Sequence, residues 1–83
     1  MRFTVTWRTD AEDKLNEIWQ DSPADRNAIQ HAADEIDRTL RQHADSMGRP
    51  WFGGRMLWIE PLVVLFDVSP SDRLVKVWDV WKR

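Results

Sequence analysis

Residues 53–83 read GGRMLWIEPLVVLFDVSPSDRLVKVWDVWKR, and this stretch decides the fold. It holds three short runs rich in Val, Leu, Ile, Phe and Trp, which are separated by Pro61 and by a turn cluster at residues 69–72. β-branched and aromatic runs of this length between turn residues are typical of consecutive strands. Because short connections make neighbouring strands antiparallel, the stretch predicts a three-stranded meander.

The middle run, residues 62–68, is apolar on both faces. Its alternate positions form two sets, Leu62, Val64, Phe66 and Val68 on one face and Val63, Leu65 and Asp67 on the other. A strand of this kind is usually covered on both sides. We expect helices from the first half of the chain to cover one face. A partner is expected to cover the other, where Val63 and Leu65 lie.

The length and composition of the chain indicate the size of the protein and its compartment. Eighty-three residues predict a single domain over residues 1–83, and six Trp supply much of the apolar area for so small a core. The chain has no Cys, which fits a reducing cytoplasm. No apolar run approaches the roughly 18 residues of a membrane span. We therefore expect a cytoplasmic protein with no membrane partner.

Charge is distributed unevenly along the chain. Residues 1–45 have a net charge of −4 and residues 46–83 a net charge of +2. The second half is thus mildly basic, which is a weak indication of phosphate binding. The sequence has no glycine-rich phosphate loop and no metal-ligand spacing, so we expect no cofactor and no metal.

The first half predicts a strand followed by two helices. Residues 2–8 alternate apolar and polar side chains, as in a half-buried strand. Thr9 and Glu12 have the spacing of a capping box at the start of a helix. Ser22 followed by Pro is typical of the start of a second helix. Gly48 is the predicted helix stop.

The predicted second helix has a clear inner and outer side. Its apolar stripe consists of Ile29, Ala33, Ile36 and Leu40. On the outer side, an acidic residue precedes a basic one by four positions in two pairs, Asp34 with Arg38 and Asp37 with Arg41. The whole pattern predicts an α+β fold of the order β-α-α-β-β-β. In that fold a helical hairpin packs on one face of a four-stranded antiparallel sheet, with the first strand at an edge.

These pieces also occur in a recognisable order and spacing. The helical hairpin holds ID-x-x-L at residues 36–40, and a Gly- and Pro-containing link follows. R-x-L then stands at residues 55–57, P-L-x-V-x-F-x-V at 61–68 and D-R-x-V-x-V-x-x-V at 72–80. Over nearly its whole length the chain resembles the RelE/ParE superfamily of bacterial type II toxins, the plasmid stabilisation family.

The resemblance implies the toxin component of a toxin–antitoxin module. RelE-like members are ribosome-dependent mRNA endonucleases, which hold the RNA phosphate with basic side chains and move protons with a Tyr or His near the C-terminus. ParE-like members inhibit DNA gyrase and lack that nuclease set. An antitoxin is therefore the expected partner, with the ribosome and its mRNA or DNA gyrase as the target. The sequence leaves a homodimer open.

Only some of the nuclease residues of the RelE-like members have a counterpart in this sequence. Arg55 matches the basic residue of the first meander strand, and Lys82 with Arg83 matches the terminal basic pair. Val63 stands where the nucleases have an Arg, and the chain contains no Tyr. General acid–base catalysis is typically worth about 10²–10⁴ in rate, so this set favours a protein that is not an enzyme, and its catalytic residues stay unknown. The predicted target-binding residues are Arg55, Arg73, Lys82 and Arg83.

The C-terminal run holds two Trp of opposite parity. On a regular strand Trp78 and Trp81 would lie on opposite faces, so either a bulge occurs near Asp79 or one Trp lies on the face away from the helices. The two indoles then act either as cover for the sheet or as part of a partner surface. The predicted partner-binding face consists of Val63, Leu65, Trp78 and Trp81.

Three hypotheses on function remain at this point. The first is a toxin that binds a macromolecular target and is neutralised by an antitoxin. The second is a degenerate, non-toxic RelE-like domain that serves as a protein-interaction module. The third is an active RNase with an unusual residue set.

Overall fold

The computed structural model describes residues 2–83. The elements follow one another as β1 (Thr4–Trp7), α1 (Thr9–Asp21), a 3₁₀ helix (Pro23–Asp25), α2 (Arg26–His43), β2 (Arg49–Trp51), β3 (Gly54–Ile59), β4 (Leu62–Ser69) and β5 (Leu74–Lys82). The predicted α+β fold, with two helices packed on a sheet, is confirmed.

The sheet has five strands in the order β1-β5-β4-β3-β2. Strands β3, β4 and β5 form the predicted antiparallel meander, and β1 lies at an edge as expected. The prediction of a four-stranded, wholly antiparallel sheet is wrong in two respects. Strand β1 runs parallel to β5, which is allowed because the two strands are joined through both helices and the rest of the sheet rather than by a short turn.

The second correction is an additional strand, β2, in the segment read as a link. Its three residues pair antiparallel with β3, Arg49 with Met56 and Trp51 with Gly54. It includes Pro50, which a strand tolerates at the edge of a sheet because no further strand needs its missing N–H. A three-residue edge strand has too short an alternation to be recognised from its sequence.

One face of the sheet and the inner sides of the helices form the core. The fully buried side chains there include Ile29, Ile36, Leu40, Leu62, Val64, Phe66, Val75, Val77 and Val80. Three members of the predicted stripe on α2, Ile29, Ile36 and Leu40, are buried, and the fourth, Ala33, is partly buried. Ala32 is buried beside them. Burying side chains of this size contributes roughly 1.5–3 kcal/mol each, so this layer holds the two halves of the chain together.

The helix starts differ from the predictions. Arg8, not Thr9, is the N-cap of α1, and no side chain caps the helix there. The Asp10 carboxylate instead accepts a hydrogen bond from the backbone N–H of Ala11, 3.0 Å away. At the second start Pro23 opens a short 3₁₀ helix, and the Ser22 side chain makes no cap.

The outer side of α2 carries one of the two predicted pairs. Arg41 and Asp37 form an ion pair of 2.7 Å, whereas Arg38 pairs with Glu35. The helix also ends at His43, before the predicted stop. Gly48 adopts a positive φ of 83° in the link, where a Cβ would lie 3.0 Å from the Met56 carbonyl oxygen.

Across residues 2–83, neither helix has the length and hydropathy that a membrane span needs.

Candidate functional site

The face of the sheet away from the helices has an aromatic row at its centre. The register aligns Trp58 of β3, Val63 of β4 and Trp81 of β5. Val63 is only 2% exposed, although it points away from the helical layer. The flanking indoles account for this burial, because cross-strand neighbours on one face lie about 4.5–5.5 Å apart at Cβ. Hereafter this surface is called the tryptophan face.

A β-bulge places both C-terminal indoles on this face. Leu65 pairs with Asp79 and Phe66 pairs with Val77, so Trp78 is left between them without a partner. The extra residue shifts the alternation of β5 by one position. Of the two alternatives that the parity of the two Trp left open, the bulge is present, and Trp78 lies on the same side as Trp81.

Trp78 is anchored across the neighbouring strands. Its indole N–H donates a hydrogen bond of 3.0 Å to the Asp67 carboxylate. Its six-membered ring lies so close to β3 that a Cβ on Gly54 would be 2.6 Å from it. Gly54 is thus required for close approach of the ring to the strand, and not for an unusual backbone angle.

Helix α1 reaches the tryptophan face at the β5 edge. The Lys14 ammonium forms an ion pair of 2.9 Å with Asp79, and its nitrogen lies 6.0 Å from the centre of the Trp81 ring. Asp79 also accepts a hydrogen bond from the backbone N–H of Val80. This carboxylate is therefore engaged in local structure and in holding α1 against the sheet.

The two terminal basic residues diverge. Arg83 stacks on the indole of Trp58, 4.0 Å from the ring centre, and its backbone N–H donates to the Pro61 carbonyl. Lys82 points to the helical side, where it forms an ion pair of 2.7 Å with Asp25. The predicted basic pair is therefore split between the two sides of the sheet.

Arg55 lies on the helical side as well. One terminal nitrogen, Nη1, lies within hydrogen-bond distance of the carbonyl oxygens of Ala44, Asp45 and Met47, at 3.1, 2.8 and 3.3 Å. These carbonyls follow the C-terminus of α2, where the helix leaves acceptors without internal donors and where positive charge is favoured. Arg55 therefore fastens the end of α2 to β3.

Arg73 occupies the turn between β4 and β5. It has a positive φ of 52°, and its N–H donates to the Pro70 carbonyl. The side chain is exposed, and in the described part of the chain neither Arg73 nor Arg83 takes part in an ion pair. Of the four predicted target-binding residues, these two have free charges, but only Arg83 adjoins the tryptophan face.

The histidines of the chain lie outside the tryptophan face. His31 and His43 are exposed on α2, away from the sheet. Within residues 2–83 no group of three His, Asp or Glu side chains is suited to hold a metal. The tryptophan face thus offers flat aromatic surface and a guanidinium, which suit recognition of a macromolecule.

Two features of the structure were not predicted from the sequence. The first is a groove between α1 and α2, lined by Leu15, Asn16, Trp19, Ile29, Gln30 and Ala33. The second is the tip of the β2–β3 hairpin, where Trp51 and Phe52 are exposed. Trp19 of the groove is 38% exposed, which the sequence of the helix does not tell. The hairpin tip gave no signal, because β2 itself was not predicted.

Comparison with known proteins follows from this geometry. No protein-family model matches the chain, and no curated protein does. A chain of the RelBE2 toxin–antitoxin complex from Mycobacterium tuberculosis superposes with a TM-score of 0.82 at 15% identity, covering 100% of this chain and 93% of that one. A chain of the chromosomal ParDE toxin–antitoxin system from P. aeruginosa gives 0.79 at 23% identity, covering 98% and 96%. The chain therefore has the same fold as these two chains.

These two comparisons describe the fold of the chain and not its functional site. The matches extend over the whole chain at low identity, so they concern the arrangement of helices and strands. A shared fold hosts different activities. What this chain does must therefore be argued from its own side chains on the tryptophan face.

Proposed function

We propose that this protein is the toxin component of a toxin–antitoxin pair and that it acts by binding a macromolecular target. The observation that carries the proposal is the full-length likeness to chains of two toxin–antitoxin complexes. Its target-binding surface is the tryptophan face, with Arg83 as the charged contact.

Binding is favoured over RNA cleavage by what surrounds the expected nuclease positions. Val63 is buried and aligned between Trp58 and Trp81, so an apolar side chain stands where a nuclease would need a basic one. Arg55 is engaged with the end of α2, and Lys82 with Asp25. A phosphoryl transition state needs convergent charge, whereas Arg55 and Lys82 are each held by a separate contact within the fold.

An antitoxin segment is the proposed second partner. The RelBE2 and ParDE structures are of toxin–antitoxin complexes, and the tryptophan face of this chain has the composition of an interface centre, rich in Trp with an Arg beside it. An antitoxin bound there would cover Trp58 and Trp81 and withhold Arg83 from the target. Neutralisation would then be direct competition for one surface.

Controlled expression in a bacterial host tests the proposal. The expected result is growth arrest that a cognate antitoxin reverses. Separate readouts identify the target: loss of translation indicates the ribosome, and loss of DNA supercoiling indicates gyrase. Primer extension on mRNA from arrested cells is expected to show no new ribosome-dependent cleavage. Normal growth at high expression would refute the toxin proposal.

A non-toxic interaction module is the second candidate function. It is favoured because Arg55 and Lys82 form contacts within the fold. Few basic side chains are then free to bind a nucleic-acid target. The same expression experiment separates the two: this candidate requires unimpaired growth, and it is excluded if Arg83→Ala relieves an arrest.

A further inference from the structure

The turn between β2 and β3 has an aromatic residue where the backbone disfavours one. Its two residues, Phe52 and Gly53, both have positive φ, 44° and 83°, as a type I′ turn requires. Asn or Gly is preferred at the first of these positions, and a bulky side chain is strained there. The Phe52 side chain is also 86% exposed. Neither feature stabilises the isolated chain, which indicates a contact outside it.

Two indoles continue the apolar surface from the turn onto the sheet. Trp51 packs edge-on against Phe52, with ring centres 5.1 Å apart, and is 43% exposed. Trp51 pairs with Gly54, four residues before Trp58, so strand alternation places both indoles on the same side of the sheet. Trp58 is 47% exposed. These three side chains, Trp51, Phe52 and Trp58, are called the hairpin rings.

Positive charge accompanies the hairpin rings. Residues 46–59 contain Arg49 and Arg55 and no Asp or Glu. Arg49 is exposed, forms no ion pair within residues 2–83, and lies two residues before Trp51 on the same side of the sheet. Arg83 lies over Trp58 on that side as well. The rings therefore have two unpaired cations beside them.

The two carboxylates of strands β4 and β5 have partners within the fold. Asp67 accepts an indole N–H and lies opposite Lys76 in the register. Asp79 forms an ion pair with Lys14. The turn of residues 70–73, at the same end of the sheet as the hairpin tip, has one Asp and one Arg and is neutral. The positive charge beside the hairpin rings is thus not cancelled by these groups.

The charge of the whole molecule gives this side a direction. Residues 1–45, which include both helices on the opposite side of the sheet, have a net charge of −4, and residues 46–83 have a net charge of +2. An anionic surface attracts the side with the hairpin rings and repels the helical layer. The partner that fits this side is therefore anionic and accepts apolar rings.

The geometry of the rings separates two anionic partners. Stacking of a single-stranded nucleic acid needs flat rings with free faces. Trp51 and Phe52 instead meet at 80°, and Arg83 already covers the Trp58 ring. A lipid interface needs only aromatic rings beside basic side chains, and a fluid surface receives a projecting ring without a matching pocket.

We propose that the β2–β3 hairpin is a membrane-surface contact, in which Trp51 and Phe52 enter the headgroup region of an anionic bilayer and Arg49 binds lipid phosphate. The prediction of no membrane partner was drawn from the lack of an apolar run of span length, which surface attachment does not require. The contact does not depend on the proposed toxin function. Its test uses purified protein and vesicles, so its outcome is separate from that of the growth experiment.

Flotation with vesicles tests the contact. One set consists of phosphatidylcholine alone, and a second contains about 30% phosphatidylglycerol, which supplies the negative charge. The protein is expected to float with the anionic vesicles and to bind the neutral ones at least about fivefold more weakly. Binding should weaken between about 50 mM and about 500 mM salt, because the charges are then screened. Protein that floats with neither set overturns the proposal.

Phe52→Asn is the decisive variant. Asn is preferred over Phe in a type I′ turn, so the fold is retained while the ring is removed, and circular dichroism checks the fold. The partition constant for anionic vesicles is expected to fall at least about tenfold, because the ring no longer leaves water. Binding as tight as that of the original chain would overturn the proposal.

Arg49→Gln tests the charged contact and has a matched control. Its partition constant for anionic vesicles should fall about fivefold. Arg38→Gln removes an equal charge from the outer side of α2, where Arg38 is exposed, and should leave the binding unchanged. Equal losses in both variants would assign the binding to net charge and overturn the proposed site.

Single-stranded polyuridine RNA is the probe for the other anionic partner. Its binding, followed by fluorescence anisotropy, is expected to be the same for Phe52→Asn as for the original chain. RNA binding that needs Phe52, together with no flotation on anionic vesicles, would overturn the lipid assignment and give the hairpin rings to nucleic acid.

Discussion

The guanidinium of Arg83 lies over the indole of Trp58, with 4.0 Å between its central carbon and the ring centre. A guanidinium has five N–H donors and cannot direct all of them at one ring, so donors remain for a partner. The side chain is therefore held on the tryptophan face with its charge available. Lys82, one residue earlier, is paired with Asp25 on the opposite side.

Replacing Arg83 by Ala should weaken function more than stability. An exposed cation–π contact is worth about 0.5–1 kcal/mol, whereas a hydrogen bond from a charged group to a partner contributes about 1.5–3 kcal/mol. We expect the expression level needed for growth arrest to rise about tenfold or more, with the free energy of unfolding lowered by less than about 1 kcal/mol. Growth curves under graded induction and urea unfolding measure the two effects.

Lys82→Ala is the matched control for that prediction. It removes an equal charge from the neighbouring residue but from the helical side, where the Asp25 pair lies. The expression level of Lys82→Ala that is needed for growth arrest should stay near that of the original chain. If Lys82→Ala relieved arrest as strongly as Arg83→Ala, net charge and not the stacked geometry would be responsible.

Replacing Arg55 by Ala should act on stability. The guanidinium serves carbonyls beyond the end of α2 that have no other donor within the helix. Their loss is expected to lower the free energy of unfolding by about 1–3 kcal/mol, measured by urea denaturation. Arg73→Ala, which removes an exposed Arg without such contacts, should change it by no more than about 0.5 kcal/mol. Equal effects of both variants would contradict the capping role.

Gly54→Ala tests the close approach of Trp78 to β3. The added methyl would lie 2.6 Å from the indole ring and 2.8 Å from the Phe66 carbonyl oxygen. Both must shift, which should cost about 1–3 kcal/mol and displace the indole from Asp67. Urea unfolding together with the Trp78 indole N–H resonance in NMR would measure this. If the resonance were unchanged and the variant were as stable as the original chain, β3 would accommodate the added methyl group without loss of stability.

The fold was predictable because its elements carry long, regular patterns. The apolar stripe of α2 and the runs of β3 to β5 each extend over several residues, and their periods are unambiguous. Strand β2 was missed because three residues, one of them Pro50, show no alternation. The parallel pairing of β1 could not be predicted, since it depends on where the helical connection returns the chain.

The site was predictable only in its residue types. The sequence shows which side chains near the C-terminus are basic, but it does not show which of them form contacts within the fold. The partners of Arg55 are main-chain carbonyls of another element, and a main-chain acceptor has no sequence signature. The opposite directions of Lys82 and Arg83 follow simply from strand alternation, which the residue count disregarded. The parity of Trp78 and Trp81, by contrast, did indicate a bulge as one of two alternatives, and the structure decides for it.

Val63→Arg tests whether the tryptophan face can be converted to the charge arrangement of a nuclease. Val63 is 2% exposed between two indoles, so an Arg there either buries its charge or forces the rings apart. Loss of the Val contacts together with an unpaired charge is expected to cost about 3–5 kcal/mol, with no gain of mRNA cleavage. Val63→Thr retains the shape and should cost only about 1–3 kcal/mol for the buried hydroxyl. If Val63→Arg were as stable as the original chain by urea unfolding, the indoles of Trp58 and Trp81 would part readily. The face would then be a mobile cover over a groove and not a fixed binding surface.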